Sequence, residues 1–351
     1  TKSLPSVIIR TVSFLDTIAI LNGGTMIYII YLAIVAAVVI ISVKLSEYVD
    51  LLDRTTNISG AFIGGVMLAA VTSLPELFTS IAATLFVNQP DLVIGNVLGS
   101  NLFNLAILGS LILFSLRKFS SSFLSESHRG TLLATLAMYA LVSIALAVPS
   151  GMSILGLNPV SIAVFALYIF SVKKMSSDDS SAAGDEDEEF VSHLTKNQIL
   201  TRFALMSILL IIASIALTLA TDVIAERLNL GMTFAGALLL GVATSLPELT
   251  SSISLVRFGN FNATTGNIVG SNLFNFSILF MADLFYQGGS LYASNPQAQS
   301  LLFFGAVAGI AGFAALHFKS RSAVKSASSA NLIYSAAGAV PVISYILFLQ
   351  S

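Results

Sequence analysis

Apolar residues along this chain neither alternate nor follow a narrow stripe. They gather into continuous runs of about twenty, separated by short polar stretches. A run of that length is what a helix needs to cross a bilayer core. Continuous runs, rather than two-residue alternation, argue against a β-barrel. Ten spans can be drawn, over about 25–43, 58–86, 92–116, 130–148, 154–172, 200–220, 231–256, 264–286, 300–318 and 331–349. The expected fold is all-α and integral to the membrane, with about ten transmembrane helices. Two regions depart from the pattern. Residues 1–24 are moderately apolar but contain Arg10 and Asp16, which reads as an N-terminal extension lying in the interface as an amphipathic helix or as a leftover targeting segment. Residues 173–199 contain "SSDDSSAAGDEDEEF", a polar and acidic run expected to form a disordered linker. The run lacks the glycine-centred spacing of an EF-hand loop, so the plainer reading, a solvated hinge, is preferred to a cation sensor. The linker divides the chain into five spans over 25–172 and five over 200–349.

Composition agrees with the pattern: of 351 residues, 56% are hydrophobic and 10% charged, where a soluble domain carries about 25% charge. The net charge of −2 gives no basis for nucleic-acid binding, and the absence of cysteine removes disulfides and thiolate metal sites. His128, His193 and His317 fall near span ends or in loops and read as solvated residues. Positive charge sorts the loops. Thirteen of the sixteen Lys and Arg residues lie on the side holding the loops after spans 1, 3, 5, 7 and 9. The other three, Lys2, Arg10 and Arg227, lie opposite. The positive-inside rule then places the linker in the cytoplasm and both termini outside, in a multi-pass plasma-membrane protein.

Two stretches repeat. "TSLPEL" occurs at 72–77 and at 244–249, followed in each case by "GN" and "GSNLFN". The full copies run over 64–104 and 236–275. Corresponding membrane segments interrupted by Gly and Pro in two halves of a chain point to a transporter site near the bilayer midplane. Five spans per half is an odd number, so the second half enters the membrane from the opposite side and the repeats are inverted.

A glutamate and a proline are both costly in an apolar span. Pro75 has no N–H for the carbonyl of Val71, and Pro247 has none for that of Ala243. In hydrocarbon a freed carbonyl needs another partner, and a cation can serve. Thr72 and Glu76 share a helix face at four-residue spacing, as do Thr244 and Glu248, Ser100 and Asn104, and Ser271 and Asn275. Gly95 and Gly99, and Gly266 and Gly270, form G-x-x-x-G pairs suited to close helix approach. Every group gathered is an oxygen donor, including the hydroxyls of Ser73 and Ser245, and two carboxylates match one divalent ion. That donor set selects hard cations, and two flexible carboxylates with carbonyls suit Ca²⁺ better than Mg²⁺.

At these residues the chain resembles the sodium/calcium exchanger family of the cation/calcium antiporter superfamily, whose repeats carry a G-T-S-x-P-E-like motif followed by G-N-x-x-G-S-N. Here they read "AVTSLPEL…GNVLGSNLFN" and "GVATSLPEL…GNIVGSNLFN". The resemblance covers most of 25–349. It implies a site between spans 2, 3, 7 and 8, with Glu76 and Glu248 bridging Ca²⁺ together with the backbone oxygens of Thr72 and Thr244. Sodium would use Ser100, Ser271, the carbonyls of Ala69 and Gly241, and the same glutamates. Asn104 and Asn275 would line the middle of the site, and spans 1 and 6 would slide as gates. The chain departs from the motif at Val71 and Ala243, where glycine is common. It departs again at Asn275, where potassium-dependent relatives have Asp. The proton-coupled branch carries G-N-x-x-E in place of T-S-x-P-E, which favours sodium. The expected activity is antiport of Na⁺ against Ca²⁺ without a prosthetic group. The alternatives are a proton-coupled Ca²⁺ or Mg²⁺ antiporter and, from a different class, a cation channel. An intramembrane hydrolase is unsupported, because Ser73 and Ser245 have no histidine or aspartate relay in the spans.

Overall fold

The computed structural model describes residues 25–56, 68–147, 153–154, 156–179, 194–292, 295–320 and 327–351. Residues 1–24 and most of the acidic linker lie outside the described residues. Among the described residues, apart from one isolated bridge between Ile154 and Leu157, the ordered elements are helices. In chain order they are α1 (Thr25–Thr56), α2 (Leu68–Thr72), α3 (Leu74–Ala82), α4 (Pro90–Phe114), α5 (Leu116–Ser121), α6 (Ser127–Ala147) and α7 (Pro159–Asp179). They continue with α8 (Lys196–Arg227), α9 (Met232–Ala235), α10 (Val242–Thr244), α11 (Leu246–Arg257), α12 (Phe261–Phe285), α13 (Pro296–Ser320) and α14 (Ala327–Phe348). Two π-helical turns, Ala83–Val87 and Gly236–Gly241, continue α3 and join α9 to α10.

Among the described residues, seven helices are long and apolar enough to cross a membrane. The count is eight if Met232–Thr244 and Leu246–Arg257, bent by 44° at Ser245, make one span. The chain is therefore a multi-pass helical membrane protein. The two other expected spans are not among these. That over 58–86 is described only from residue 68, and Leu74–Val87 is a short apolar helix. That over 154–172 begins later than expected, at Pro159, because Ile154 and Leu157 pair with each other first.

Local chemistry explains the helix ends. Proline opens α4, α7 and α13 at the position where its missing N–H costs nothing. The Thr195 hydroxyl and the Gln198 side chain form a reciprocal cap on α8. Left-handed residues, Asn88 at φ 57° and Gly259 at φ 78°, turn the chain just before α4 and α12.

The helices divide into an inner and an outer set. In α4 and α12, 72% of the spanning window is buried, against 22–44% in the other long helices. These two helices carry the Asn and Ser residues of the repeats, and in a bilayer such polar groups belong inside the protein, whereas the more apolar helices can face lipid. Inside, α4 and α12 pack on each other, with α14 and α13 against α4, and α6 and α7 against α12. Outside them α1 packs along α8, and the pair reaches the broken segments: Tyr31 of α1 donates to the Leu239 carbonyl at 2.6 Å, and Thr218 of α8 to that of Thr79 at 3.2 Å.

One expectation from the sequence is corrected here. His128 is not solvated: it is 7% exposed, its Nε2 lies 2.9 Å from Asn262 Oδ1, and its ring covers Gly266. Asp283, near a span end, is buried and accepts the Asn158 backbone N–H at 2.8 Å, tying α12 to the start of α7.

Candidate cation-binding site

The two TSLPEL copies fold alike. Each helix stops at the serine, Ser73 (φ −93°, ψ 10°) or Ser245 (φ −89°, ψ 5°), and restarts with Leu-Pro. Restarting places Glu76 and Glu248 in the first turn of α3 and α11. The first-turn N–H groups lack intrahelical acceptors, so that end of a helix favours a negative charge. The break thus supplies carbonyls on one side and a favourable seat for a carboxylate on the other.

Both carboxylates are fully buried. Each is held by the serine of the opposite copy: Ser73 Oγ donates to Glu248 Oε1 at 3.0 Å, and Ser245 Oγ donates to Glu76 Oε1 at 3.0 Å. The second oxygens, Glu76 Oε2 and Glu248 Oε2, have no hydrogen-bond partner. A buried carboxylate oxygen without a donor is expensive, and a cation removes the expense.

Neutral oxygens surround this pair. The Ala69 carbonyl receives the Ser73 N–H and the Thr72 hydroxyl at 3.2 Å each, and the Ser271 hydroxyl at 3.4 Å. Thr72 and Ser271 are themselves 3.3 Å apart. In the other copy the Gly241 carbonyl receives the Ser245 N–H at 3.3 Å and the Ser100 hydroxyl at 3.2 Å. Thr244 donates to the Leu240 carbonyl at 2.8 Å. Asn104 and Asn275 join a four-asparagine cluster. Asn104 Nδ2 donates to Asn272 Oδ1 at 3.0 Å, Asn275 Nδ2 to Asn101 Oδ1 at 3.1 Å, and Asn272 Nδ2 to the Asn101 carbonyl at 3.0 Å. The carbonyl oxygens of Asn104 and Asn275 remain unpartnered and buried. All twelve residues singled out in the sequence are thus buried within this polar centre or at its edge. Among the described residues no three His, Cys, Asp or Glu come together, so any cation held here would rest on two carboxylates and neutral oxygens. That is a set for a hard ion.

Four further asparagines belong to the polar centre. Asn101 and Asn272 bridge α4 and α12, as above. Asn96 Nδ2 is shared among the Glu76 carbonyl, Thr79 Oγ1 and Ser80 Oγ at 2.9–3.1 Å, and Asn267 Nδ2 donates to Ser251 Oγ at 3.0 Å. Their signal was already present in the repeated "GN" and "GSN".

The first glycine pair works as expected. A Cβ on Gly95 would stand 2.1 Å from the Thr233 carbonyl oxygen, and one on Gly99 2.4 Å from Ala237 Cα. Only bare backbone lets α4 approach the bent segment this closely. The second pair is used differently, since Gly266 faces the His128 ring, with its Cε1 at 3.0 Å from a Cβ placed there.

A helical membrane protein with an oxygen-lined, two-carboxylate centre belongs with ion transporters rather than with enzymes. The comparisons with known proteins specify the group. The sodium/calcium exchanger protein family model matches residues 26–173 and 199–350, and the chain belongs to that family. It is a membrane transporter of the exchanger type. The inner membrane protein YrbG of Escherichia coli strain K12 is 32% identical over 241 residues, which is 66% of this chain and 70% of YrbG. Two solved structures share the fold. The H⁺/Ca²⁺ exchanger CAX has a TM-score of 0.65 at 15% identity, over 97% of this chain and 93% of CAX. The sodium-calcium exchanger NCX_Mj soaked with Na⁺ and Sr²⁺ has a TM-score of 0.57 at 20% identity, over 93% of this chain and 98% of that one.

Proposed function

We propose that this protein is a secondary antiporter that exchanges Na⁺ for Ca²⁺ by alternating access, with both ions competing for Glu76 and Glu248. The observation that carries the reading is the pair of fully buried carboxylates, each with one oxygen held by the opposite copy and one left open. Ca²⁺ bridges the open oxygens together with the Thr72 and Thr244 carbonyls. Na⁺ uses the flanking neutral pairs, Ser271 with Ala69 and Ser100 with Gly241, near Ser73 and Ser245. Asn104 and Asn275 line the centre, and their neutral amides leave no third carboxylate for potassium. Because either ion occupies the same glutamates, the site turns from one side of the membrane to the other loaded with one or the other, and that exclusion couples the fluxes. No prosthetic group takes part.

The finer architecture belongs to the same proposal: ten spans in two inverted sets of five, over 25–172 and 200–349. The matched motifs and the likeness to exchangers over nearly the whole chain support it. The bias of Lys and Arg among the loops favours both termini outside, the 173–199 linker in the cytoplasm and residence in the plasma membrane. The second reading, proton coupling, is favoured by the CAX likeness. The two neutral hydroxyl–carbonyl pairs argue for sodium, since a proton carried on glutamate needs no such ligands.

The test is ⁴⁵Ca²⁺ flux in proteoliposomes under separate Na⁺, K⁺ and H⁺ gradients. The expected result is uptake driven by Na⁺ alone, abolished in Glu76→Gln and Glu248→Gln. Flux driven by the pH gradient alone gives the site to protons, and wild-type flux in either glutamine variant removes the glutamates from the mechanism.

A further inference from the structure

A cavity of about 540 Å³ lies between α6 and α7, apart from the ion site. Arg129 and Lys174 line it together with Leu133, Leu167 and Phe170. The order along both helices is the same. Leu133 lies one turn beyond Arg129 on α6, and Phe170 one turn before Lys174 on α7. Cations at the end of the spans therefore sit above apolar walls reaching toward mid-membrane. Leu133 and Phe170 are 52% and 65% exposed, which in a bilayer means exposed to lipid. A second cavity, of about 370 Å³, adjoins across Arg129 and adds Lys319 to the same end. Among the described residues, the one carboxylate lining either cavity is Glu126, paired with Arg129 at 2.5 Å, against the cations Arg129, Lys174 and Lys319.

Gly130 supplies an independent observation. It lies on α6 and lines the first cavity, and a Cβ built on it would meet nothing within 4 Å. Glycine weakens a helix relative to alanine. At Gly95 a neighbouring backbone requires the loss; at Gly130 no neighbour does. Its missing side chain leaves open space on the face of α6 that lines the cavity.

We propose that α6 and α7 form a binding site for one anionic phospholipid, with its phosphate between Arg129 and Lys174 and an acyl chain along Leu133 and Phe170. Basic pockets between spans on the positively charged side of a membrane protein have the chemistry to hold such headgroups, and the apolar depth selects a lipid over a free phosphate.

The test titrates the delipidated full-length protein in detergent with phosphatidylglycerol, phosphatidylcholine or inorganic phosphate, following the melting temperature. Phosphatidylglycerol is expected to raise it by several degrees, with little effect from the other two. Lys174→Gln should raise the half-saturating phosphatidylglycerol concentration roughly tenfold by removing one charged donor. Gly130→Leu starts from a Cβ that meets nothing within 4 Å, places its side chain in the cavity, and should abolish the shift while leaving the lipid-free protein at least as stable. An equal shift with phosphatidylcholine overturns the charge selectivity, and an equal shift with phosphate overturns the lipid assignment. An unchanged response in both variants places the lipid elsewhere and overturns the site.

Discussion

Replacing Ser73 with alanine isolates one interaction. Ser73 sits at the N-cap of α3, where losing a hydroxyl ordinarily costs about 1 kcal/mol of helix stability. Here the Ser73 side chain makes no capping bond to its own helix. Its hydroxyl donates instead to Glu248 Oε1, at 3.0 Å, in the opposite copy. Ser73→Ala should therefore leave the fold largely intact and act on a carboxylate 175 positions away. A hydrogen bond to a charged group is worth roughly 1.5–3 kcal/mol. Glu248 is fully buried, and its other oxygen has no donor to compensate. At about 1.4 kcal/mol per tenfold, the ionised form that Ca²⁺ requires becomes roughly 10- to 150-fold harder to load. The assay is the Ca²⁺ concentration for half-maximal flux in proteoliposomes, backed by calorimetric titration in detergent. Ser73→Thr keeps the hydroxyl and should recover most of the affinity. Ser245→Ala should match Ser73→Ala, since the Ser245 bond to Glu76 has the same length and its side chain also makes no cap. Ca²⁺ affinity within twofold of wild type in Ser73→Ala would refute the claim that the serine holds the opposite carboxylate in its working state.

Gly95→Ala brings a Cβ to 2.1 Å from the Thr233 carbonyl oxygen. Relieving the clash requires a shift of about 1 Å between α4 and the bent segment, so a loss of about 1–3 kcal/mol is expected as a lower melting temperature. Gly130→Ala, with open space around it, is the control and should lose nothing. Asn275→Asp replaces the amide that donates to Asn101 Oδ1 at 3.1 Å with an acceptor, and adds a third acid to the centre. It should destabilise the ion-free protein by about 1–3 kcal/mol, with added Ca²⁺ recovering stability. Melting curves with and without Ca²⁺ check both points, and unchanged ion-free stability would show that the asparagine bridge contributes nothing.

The broken helices were legible because proline removes a helical hydrogen bond and glutamate carries a steep cost in a span; Pro341, which has no acid beside it, lies within the continuous α14. Pro75 with Glu76, and Pro247 with Glu248, state the break and its charge in adjacent letters. The central place of α4 and α12 was reached through the resemblance, which puts the site between spans 2, 3, 7 and 8, since the outer helices are equally apolar along their length. The exchange of serines was not. Four-residue spacing groups Thr72 with Glu76, but it is blind to the donor arriving from a segment far along the chain. His128 misled for a related reason. Flanked by Ser, Glu and Arg it reads as a loop residue, and only the empty space over Gly266 makes room for its ring. Pro159 marks the true start of α7, and the apolar residues before it look like the same span until Ile154 and Leu157 are seen to pair.

The traded serines also bear on inheritance. A duplicated gene leaves two equal copies, each free at first to decay alone. Once Ser73 completes Glu248 and Ser245 completes Glu76, neither copy contains a finished carboxylate of its own. A change in one is suffered by the other, and only a change in the other can repair it. Positions 73 with 248, and 245 with 76, become single hereditary units written in two distant places.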